Sequence, residues 1–423
     1  MLLSSIRLLE QATSSLQEGW RTSAGHLDLQ RRERTSLFPW RGQFSPQLVE
    51  LLLKRYAGKS AVVLDPFVGS GTTLFEAARQ GLSCYAADIN PTAVALSRTV
   101  YFVRLTPSER LQLIQKAESL LKTAMQPAFR DLFSLENLEY ELDDDAPPPE
   151  ETIFSLIRET EDQFLRIILT NTLIGYFDNQ TKRRKNNWYR SFYEQAAIIR
   201  DLPYSTAQYD VFHSDARTLP LANTSVQLIV TSPPYINVFN YHQNSRAAME
   251  RLGWNLLTIA HSEIGANRKH RQNRFLTVIQ YALDMLAALR EMHRLLSENG
   301  RLIIVIGRES TIRGVRLGNS RLITALALGG AGFQLASVED RKFLNKFGEI
   351  IYEDVLHLTS SAVLPPINED FARSLAICIL IEAFQKNYKN SSLAGEILAA
   401  IGKACCVHLS PLFKPEHASG GFL

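Results

Sequence analysis

Apolar residues along this chain fall into two kinds of run. Short continuous blocks, "AVVLD" (61–65), "SCYAAD" (83–88), "VQLIV" (226–230) and "RLIIVIG" (301–307), show no polar alternation and predict strands buried on both faces. Longer segments repeat their apolar positions at helical spacing. "FSPQLVELLLKRYAG" (44–58) starts on Ser-Pro and stops on Gly, and "PTAVALSRTVYFV" (91–103) opens with Pro at its first position. "TVIQYALDMLAALREMHRLLSENG" (277–300) and "SRLITALALGGAG" (320–332) predict two more helices. "YDVFHSDA" (209–216) reads as a further strand, while "FQLASVEDRKFL" (333–344) and "GEIIYEDVLHLTS" (348–360) alternate like an antiparallel pair around a loop. The sum is an α/β chain with about seven strands in a doubly wound sheet, the antiparallel pair at one edge.

The pattern breaks between 105 and 205, where the chain is helical and charged and is interrupted by the acidic, proline-stiffened "DDDAPPPEE" (143–151). The expected organisation is an N-terminal arm at 1–35, polar and basic with no strong period. A first half of the core follows at 36–104, a helical insertion at 105–205, the second half at 206–362, and a C-terminal helical extension at 363–423. The apolar "LAICILIEAF" of that extension reads as a packing or dimer element rather than a site.

Composition bounds the chemistry. Across 423 residues, 45% apolar and 21% charged content suit a chain with a substantial core. No apolar run approaches the roughly 18 residues of a membrane span, and "MLLSSIRLLEQATSS" is too short and wrongly flanked for a secretory signal. Cys84, Cys378, Cys405 and Cys406 have no metal-ligand spacing and the histidines are scattered, so a reduced, cytoplasmic protein without a metal is expected. A net charge of +3 permits a nucleic-acid partner without arguing for one.

The strongest local signal is "DPFVGSGTT" (65–73). Asp65 ends the first strand, and Gly69 and Gly71 bracket a turn that lets backbone amides approach a ligand. Asp88 ends the next strand 23 positions later, where a carboxylate can accept both hydroxyls of a ribose. The pair suggests an adenosine-containing cofactor, against the alternative of an unliganded structural turn. There is no Gly-Lys-Ser/Thr for a P-loop, and Asp65 would repel a pyrophosphate but suit a ligand carrying an ammonium.

"DPFVGSGTT", "ADIN", "HSDA" and "TSPPY", in that order, resemble the amino-methylating DNA methyltransferases, most of all their cytosine-N4-specific members. The resemblance covers most of residues 36–360 and implies a Rossmann-like methyltransferase fold with S-adenosyl-L-methionine as cofactor. It implies Phe44 as a wall of the methionine pocket, with Asp65 and the Gly69 and Gly71 turn facing the methionine and Phe67 and Thr72 of that turn beside it. Asp88 would bind the ribose and Asp215 the adenine amine. The implied partner is double-stranded DNA, with a cognate restriction endonuclease as a second partner such enzymes can have.

In the same resemblance "SPPY" (232–235) is the catalytic motif, and its chemistry can be stated physically. An exocyclic amine is a poor nucleophile because its lone pair is delocalised into the base, so acceptors are needed for its hydrogens. Ser232 offers a hydroxyl, Pro233 a carbonyl stiffened by Pro234, and Tyr235 a face for stacking an extruded base. An ordinary strand-end turn is the bland alternative. Methylation of a ring carbon would need a cysteine nucleophile, and none lies near these motifs. The target is expected to be the N4 amine of cytosine, with adenine N6 next and an RNA or protein-amide substrate after that; a catalytically idle DNA-binding relative is disfavoured by intact Ser232 and Tyr235.

The recognition module departs from the family's usual order, because the excess length falls between the second and third strands. "TKRRKNNWYRSFY" (181–193) alternates basic and aromatic residues, suited to phosphates and stacking, or else is a solvated helix face with a buried Trp188. Asn237, Asn240 and Tyr241 are candidates for closing the base pocket, and "GANRKHRQNR" (265–274) is the densest basic patch.

Overall fold

A computed structural model describes the chain except for residues 24–26, 29–33, 41, 43, 126–148, 182–187, 237–239, 244, 267–269, 345–347, 362 and 416–423. The basic run Lys182, Arg183, Arg184 and Lys185, Asn237, most of the acidic linker and the centre of the 265–274 patch lie outside the described residues.

The apolar blocks form the central strands: β1 (Val62–Asp65), β2 (Ser83–Asp88), β3 (Tyr209–His213), β4 (Val226–Thr231) and β5 (Leu296–Gly307). A short hairpin, β6 (Glu309–Ile312) and β7 (Val315–Gly318), precedes the long pair β8 (Phe333–Leu344) and β9 (Ile350–Ser360). The seven-stranded sheet has the order β3-β2-β1-β4-β5-β9-β8, parallel from β3 to β5, with β9 antiparallel to both its neighbours. The doubly wound reading holds, and the antiparallel pair is at the edge where the alternation put it.

Continuous apolar strands are required because both faces are covered. Val63, Leu228, Val230, Ile303 and Val305 belong to one core; Leu64, Ile229, Leu302, Ile304 and Ile306, one position out of step, belong to the other. That alternation is the period of two of a pleated strand. Each fully buried aliphatic side chain contributes about 1.5–3 kcal/mol of transfer free energy.

One face carries α2 (Pro46–Tyr56), α3 (Thr72–Arg79), α4 (Pro91–Ser97) and the insertion: α5 (Pro107–Met125), α6 (Pro149–Glu159), α7 (Gln163–Thr181) and α8 (Trp188–Arg200). Arg110 clips the insertion shut. Its buried guanidinium donates to the carbonyls of Phe102 (2.8 Å) and Leu105 (3.0 Å) where the chain leaves the sheet, and of Pro203 (2.6 Å) where it returns. Trp188 is buried in this core and stacked on Tyr189 with centroids 3.7 Å apart, which is the packing reading of that residue.

The other face is covered by α9 (Leu276–Leu295), α10 (Asn319–Gly330) and α11 (Glu369–Asn387), with α12 (Ser391–Gly402) against α11. It is also covered by α1 (Leu2–Thr22), which corrects the expectation of an N-terminal arm without a period. The buried positions of α1, Ser5, Leu9, Ala12, Leu16 and Gly19, step by three and four along one stripe. Ser, Ala and Gly make that stripe faint in hydropathy, yet Gly19 is there because any Cβ would lie 2.5 Å from the Cβ of Val338. At the end of the helix, Trp20 Nε1 donates to Asp354 Oδ1 at 2.7 Å, fixing α1 to β9. No helix among the described residues is long and apolar enough to cross a membrane.

The geometry that matters most is the reversal of strand order at β1. From β1 the chain builds outward to β2 and β3, then returns to lay β4 and β5 on the other side. Connections diverge at this point, and the carboxyl ends of β1, β2 and β4 border a crevice.

Candidate active site

The turn after β1 is a backbone cradle. Gly69 has φ +53° and Gly71 φ +90°, left-handed values that suit glycine, and Gly71 caps α3. A Cβ on Gly69 would come within 2.9 Å of Trp40 Nε1. The Val68 amide donates to the Ala87 carbonyl at 3.0 Å, which holds the turn against the end of β2.

Asp88, at that end, accepts from the Gly69 amide (3.0 Å) on one oxygen and the Asn90 amide (2.9 Å) on the other. Burial pushes its carboxyl up to about 7, against the pull of these two amides and with help from Asp65 and Glu263. One lone-pair position on each oxygen remains.

Asp65 is arranged differently, and its expected place facing the ligand needs correction. It is buried, and it accepts from the Phe67 amide (3.1 Å), Thr231 Oγ1 (2.6 Å) and Thr73 Oγ1 (2.6 Å). It does not line the crevice. Burial raises its carboxyl to about 6, opposed by those three bonds. Asp65 therefore stitches the glycine turn, through α3, to the last residue of β4. It sets the spacing between cradle and "SPPY" instead of touching what lies between them.

The crevice has about 850 Å³ of empty space, its open mouth included. Trp40 and Phe44 from the N-terminal loop line it together with Phe67, Gly69 and Thr72 from the turn. Asp88, the 214–216 segment, Ser232, Pro234, Tyr241 and Glu263 complete the wall. Phe44, Phe67, Gly69, Thr72, Asp88, Asp215, Ser232 and Pro234 of the expected site are thus brought together. Gly71, Pro233 and Tyr235 do not line the crevice themselves. Tyr241, expected near a base pocket, instead closes over this crevice, its carbonyl accepting from Asn90 Nδ2 at 2.9 Å. Burial, Glu263 and Asp88 push its hydroxyl well up. Glu263 and Trp40 were not singled out by the sequence. Trp40 falls inside "FPWRGQF", whereas nothing local marks Glu263.

Asp215 lines the crevice as expected, but its carboxylate is engaged within the protein. Its carboxylate accepts from Arg217 N (3.0 Å) and Nε (2.9 Å) on one oxygen, and from Arg217 Nη2 (2.7 Å) and the Phe413 amide (3.0 Å) on the other. Four donors fill its lone-pair positions, so the side chain is not free to accept an adenine amine. Arg217 is equally committed, to Asp284 (2.8 Å) and to the carbonyls of Ser410 (2.7 Å) and Pro411 (2.9 Å). The C-terminal stretch of chain is thereby fastened beneath the 214–216 wall. His213, tilted on Phe413 with centroids 4.6 Å apart, shares a hydrogen bond with the Ile89 carbonyl, and burial lowers it to about 4, so it is neutral.

On the opposite wall the end of β4 delivers Ser232. The Tyr235 hydroxyl donates to Glu353 Oε1 at 3.1 Å, and Ser232 stands on the crevice wall. Glu353 is held in turn by a close ion pair with Arg341. The Tyr235 ring rests on Gly307, where a Cβ would lie 2.8 Å from its Cε2. Tyr281 donates to the Pro234 carbonyl at 2.9 Å, whereas the Pro233 carbonyl accepts no hydrogen bond from the described residues. No group of three or more possible metal ligands occurs among the described residues.

The DNA methylase family matches residues 9–99 of the chain, which hold most of α1, the cradle and Asp88. Over 67 residues the chain is 42% identical to the type II methyltransferase M.MjaII of Methanocaldococcus jannaschii. That match covers 15% of this chain and only 13% of the relative's length. Among solved structures, a SAM-dependent methyltransferase from Methanosarcina mazei superposes with TM-score 0.33 at 12% identity, covering 74% of this chain and 98% of that one. The PH0226 protein of Pyrococcus horikoshii gives TM-score 0.31 at 11% identity, covering 74% and 88%.

Proposed function

We propose that this chain, whose residues 9–99 match the DNA methylase family, transfers a methyl group from S-adenosyl-L-methionine to the N4 amine of a cytosine extruded from duplex DNA. One observation carries the reading: the glycine cradle and the Ser232–Pro234 wall face each other across one crevice, at a separation fixed by Asp65. The crevice suits an adenosyl ligand, because Asp88 keeps two acceptor positions beside the turn and any side chain on Gly69 would run into Trp40.

When bound, the cofactor supplies an electrophilic methyl on a sulfonium. The chain's part is to hold the amine and make its lone pair available. Tyr235 donates its own hydrogen to Glu353. The Ser232 hydroxyl, on the crevice wall, offers its lone pairs to an amine hydrogen. The Pro233 carbonyl, which accepts no hydrogen bond from the described residues, is the second acceptor, next to the crevice-lining Ser232 and Pro234. As these two acceptors take the amine hydrogens, the nitrogen lone pair localises toward the incoming methyl. Asp88, Phe44 and Thr72 position the cofactor, and the Tyr235 ring is the stacking surface for the base.

Adenine N6 is the second reading, since a hydroxyl and a carbonyl can serve either amine. Incubation with duplex DNA and methyl-labelled cofactor, followed by nucleoside mass spectrometry, decides between them. N4-methylcytosine is expected. N6-methyladenine alone would change the base and keep the mechanism, and label appearing only in RNA or protein would remove DNA as substrate.

A further inference from the structure

Among the described residues the buried Arg110 and Arg217 are heavily partnered, and the partly buried Arg98 contrasts with them. Arg110 donates to backbone carbonyls throughout, and Arg217 is divided between two aspartates and two carbonyls. Arg98, at the start of the 3-10 turn Arg98–Arg104 that follows α4, has neither. Its Nε is shut off from solvent and has no hydrogen-bond partner. Burial pulls its guanidinium below the ordinary value, only the Tyr101 hydroxyl opposes this, and no acid contributes. A guanidinium partly withdrawn from water, with no acid contributing beside it, is costly, so a ligand of opposite charge is the natural complement.

The surroundings supply the rest of a site. Arg98 shares a cavity with about 800 Å³ of empty space, its open mouth included, with Tyr101, Gln163, Arg166 and Thr170, between α4 and α7. Arg166 rests Nε (3.1 Å) and Nη2 (2.7 Å) on the Thr160 carbonyl, which fixes the side chain and keeps Nη1 in reserve. The Tyr101 hydroxyl accepts from the Val211 amide at 3.1 Å and keeps a proton to donate. No carboxylate lines this cavity. It shares no residue with the crevice that holds Gly69, Asp88 and Ser232.

We propose that this cavity is a binding site for a phosphate group, carried either by a small phosphorylated molecule or by a nucleic-acid backbone. Two guanidiniums arriving from different elements suit a tetrahedral oxyanion, which can offer a separate pair of oxygens to each; a carboxylate satisfies one fork. The hydroxyls of Tyr101 and Thr170 and the Gln163 amide add neutral donors. The space exceeds that of a bare phosphate, so an attached sugar or chain can be accommodated. The site would be distinct from the methyl-transfer crevice but joined to it by α4, whose seven residues run about 10 Å from the Asn90 cap to Arg98.

Calorimetry with inorganic phosphate, adenosine monophosphate and a short DNA duplex, each titrated into wild type, Arg98→Gln and Arg166→Gln, tests the assignment. At least one probe should bind wild type and lose about tenfold or more in affinity in each variant, as expected for a missing charge-assisted hydrogen bond. S-adenosylhomocysteine should bind all three proteins equally. Loss confined to the small probes makes the source a small phosphorylated ligand, and loss confined to the duplex makes it the DNA backbone. Should Arg98→Gln fail to fold, Arg166→Gln and Thr170→Val, removing groups from the other wall, give the same readout. The proposal falls if no probe binds wild type, or if every probe binds wild type and the folded variants alike.

Discussion

Cofactor affinity should depend on pH through Asp88. In the ligand-free chain its carboxyl sits at about 7, so at neutral pH it is only half ionised. Two ribose hydroxyls can donate only to acceptor oxygens, and they favour the ionised form. Binding therefore strengthens as pH rises and levels off above about 7. One pH unit below that value about a tenth of the protein is ionised, so affinity should be about tenfold weaker at pH 6 than on the plateau. Asp88→Asn keeps the size of the side chain and removes the titration. It should bind more weakly at pH 8 and show a flatter profile, the residual slope belonging to the cofactor's own amine. Asp88→Ala removes both outward acceptors, and a loss of about 1–3 kcal/mol, roughly 5- to 150-fold, is expected. It also strips the Gly69 and Asn90 amides of their acceptor, so part of that loss comes from a loosened turn. Calorimetry with S-adenosylhomocysteine from pH 5.5 to 8.5 reads all three proteins. Unchanged affinity in folded Asp88→Ala, or equal slopes in wild type and Asp88→Asn, would remove Asp88 from the ligand.

The same carboxyl should act oppositely on stability. Its folded value lies above the ordinary 3.8, so the folded ligand-free chain binds this proton more tightly, and stability on its account is lost as pH rises from about 4 to 7. Urea unfolding across that window should fall more steeply for wild type than for Asp88→Asn, by at most about 1.4 kcal/mol per pH unit; parallel curves would mean the shift is absent. Ser232→Ala should lose about one to two decades of turnover with cofactor affinity intact, the scale of a missing acceptor, as followed by labelled-methyl transfer. Tyr235→Ala should be nearly inactive, while Tyr235→Phe, which keeps the ring and removes the hydroxyl that ties it to Glu353, should fall between; equal rates for Phe and wild type would dismiss a role for that bond. Gly69→Ala should cost about 1–2 kcal/mol of stability from its left-handed backbone and weaken the cofactor by displacing Trp40, as read by thermal melting and calorimetry. Neutralising Lys182, Arg183, Arg184 and Lys185 together should flatten the salt dependence of duplex binding by about 0.9 log unit for each phosphate these side chains neutralise in wild type. A wild-type salt slope would assign the DNA-binding face elsewhere.

What the sequence disclosed, and what it hid, follows from the range of each interaction. Strands buried on both faces must be apolar at every position, so "VVLD" and "LIIVIG" announce themselves within a few residues. A left-handed turn needs glycine locally, so the cradle was legible as well. The hairpin β6–β7 was not, because four-residue strands have too little alternation to register, although Arg313 and Gly314 at φ +50° and +85° form the two-residue turn that makes it. The faint stripe of α1 escaped because its partners, Val338 on β8 and Asp354 on β9, lie more than three hundred positions away.

Acceptor roles are the hardest to read from sequence, for a related reason. A carboxylate at the end of a strand can accept from a ligand only if the protein leaves it lone pairs, and that count closes only in three dimensions. Asp88 spends two of four on neighbouring amides and keeps two for the crevice. Asp65 spends three, one on Thr231 from 166 positions away. Asp215 spends four, the last on the Phe413 amide 198 positions downstream. Three aspartates that look alike as strand-end acids thus divide into one with acceptor positions left over, a spacer and an anchor. The anchor explains the C-terminal extension. Asp215 and Asp284 bring two negative charges to one buried Arg217, and backbone amides of Ser410 and Phe413 complete their coordination. Without residues 408–413 those carboxylates would be buried and under-satisfied directly beneath the 214–216 wall, so the last stretch of the described chain is part of what shapes the crevice.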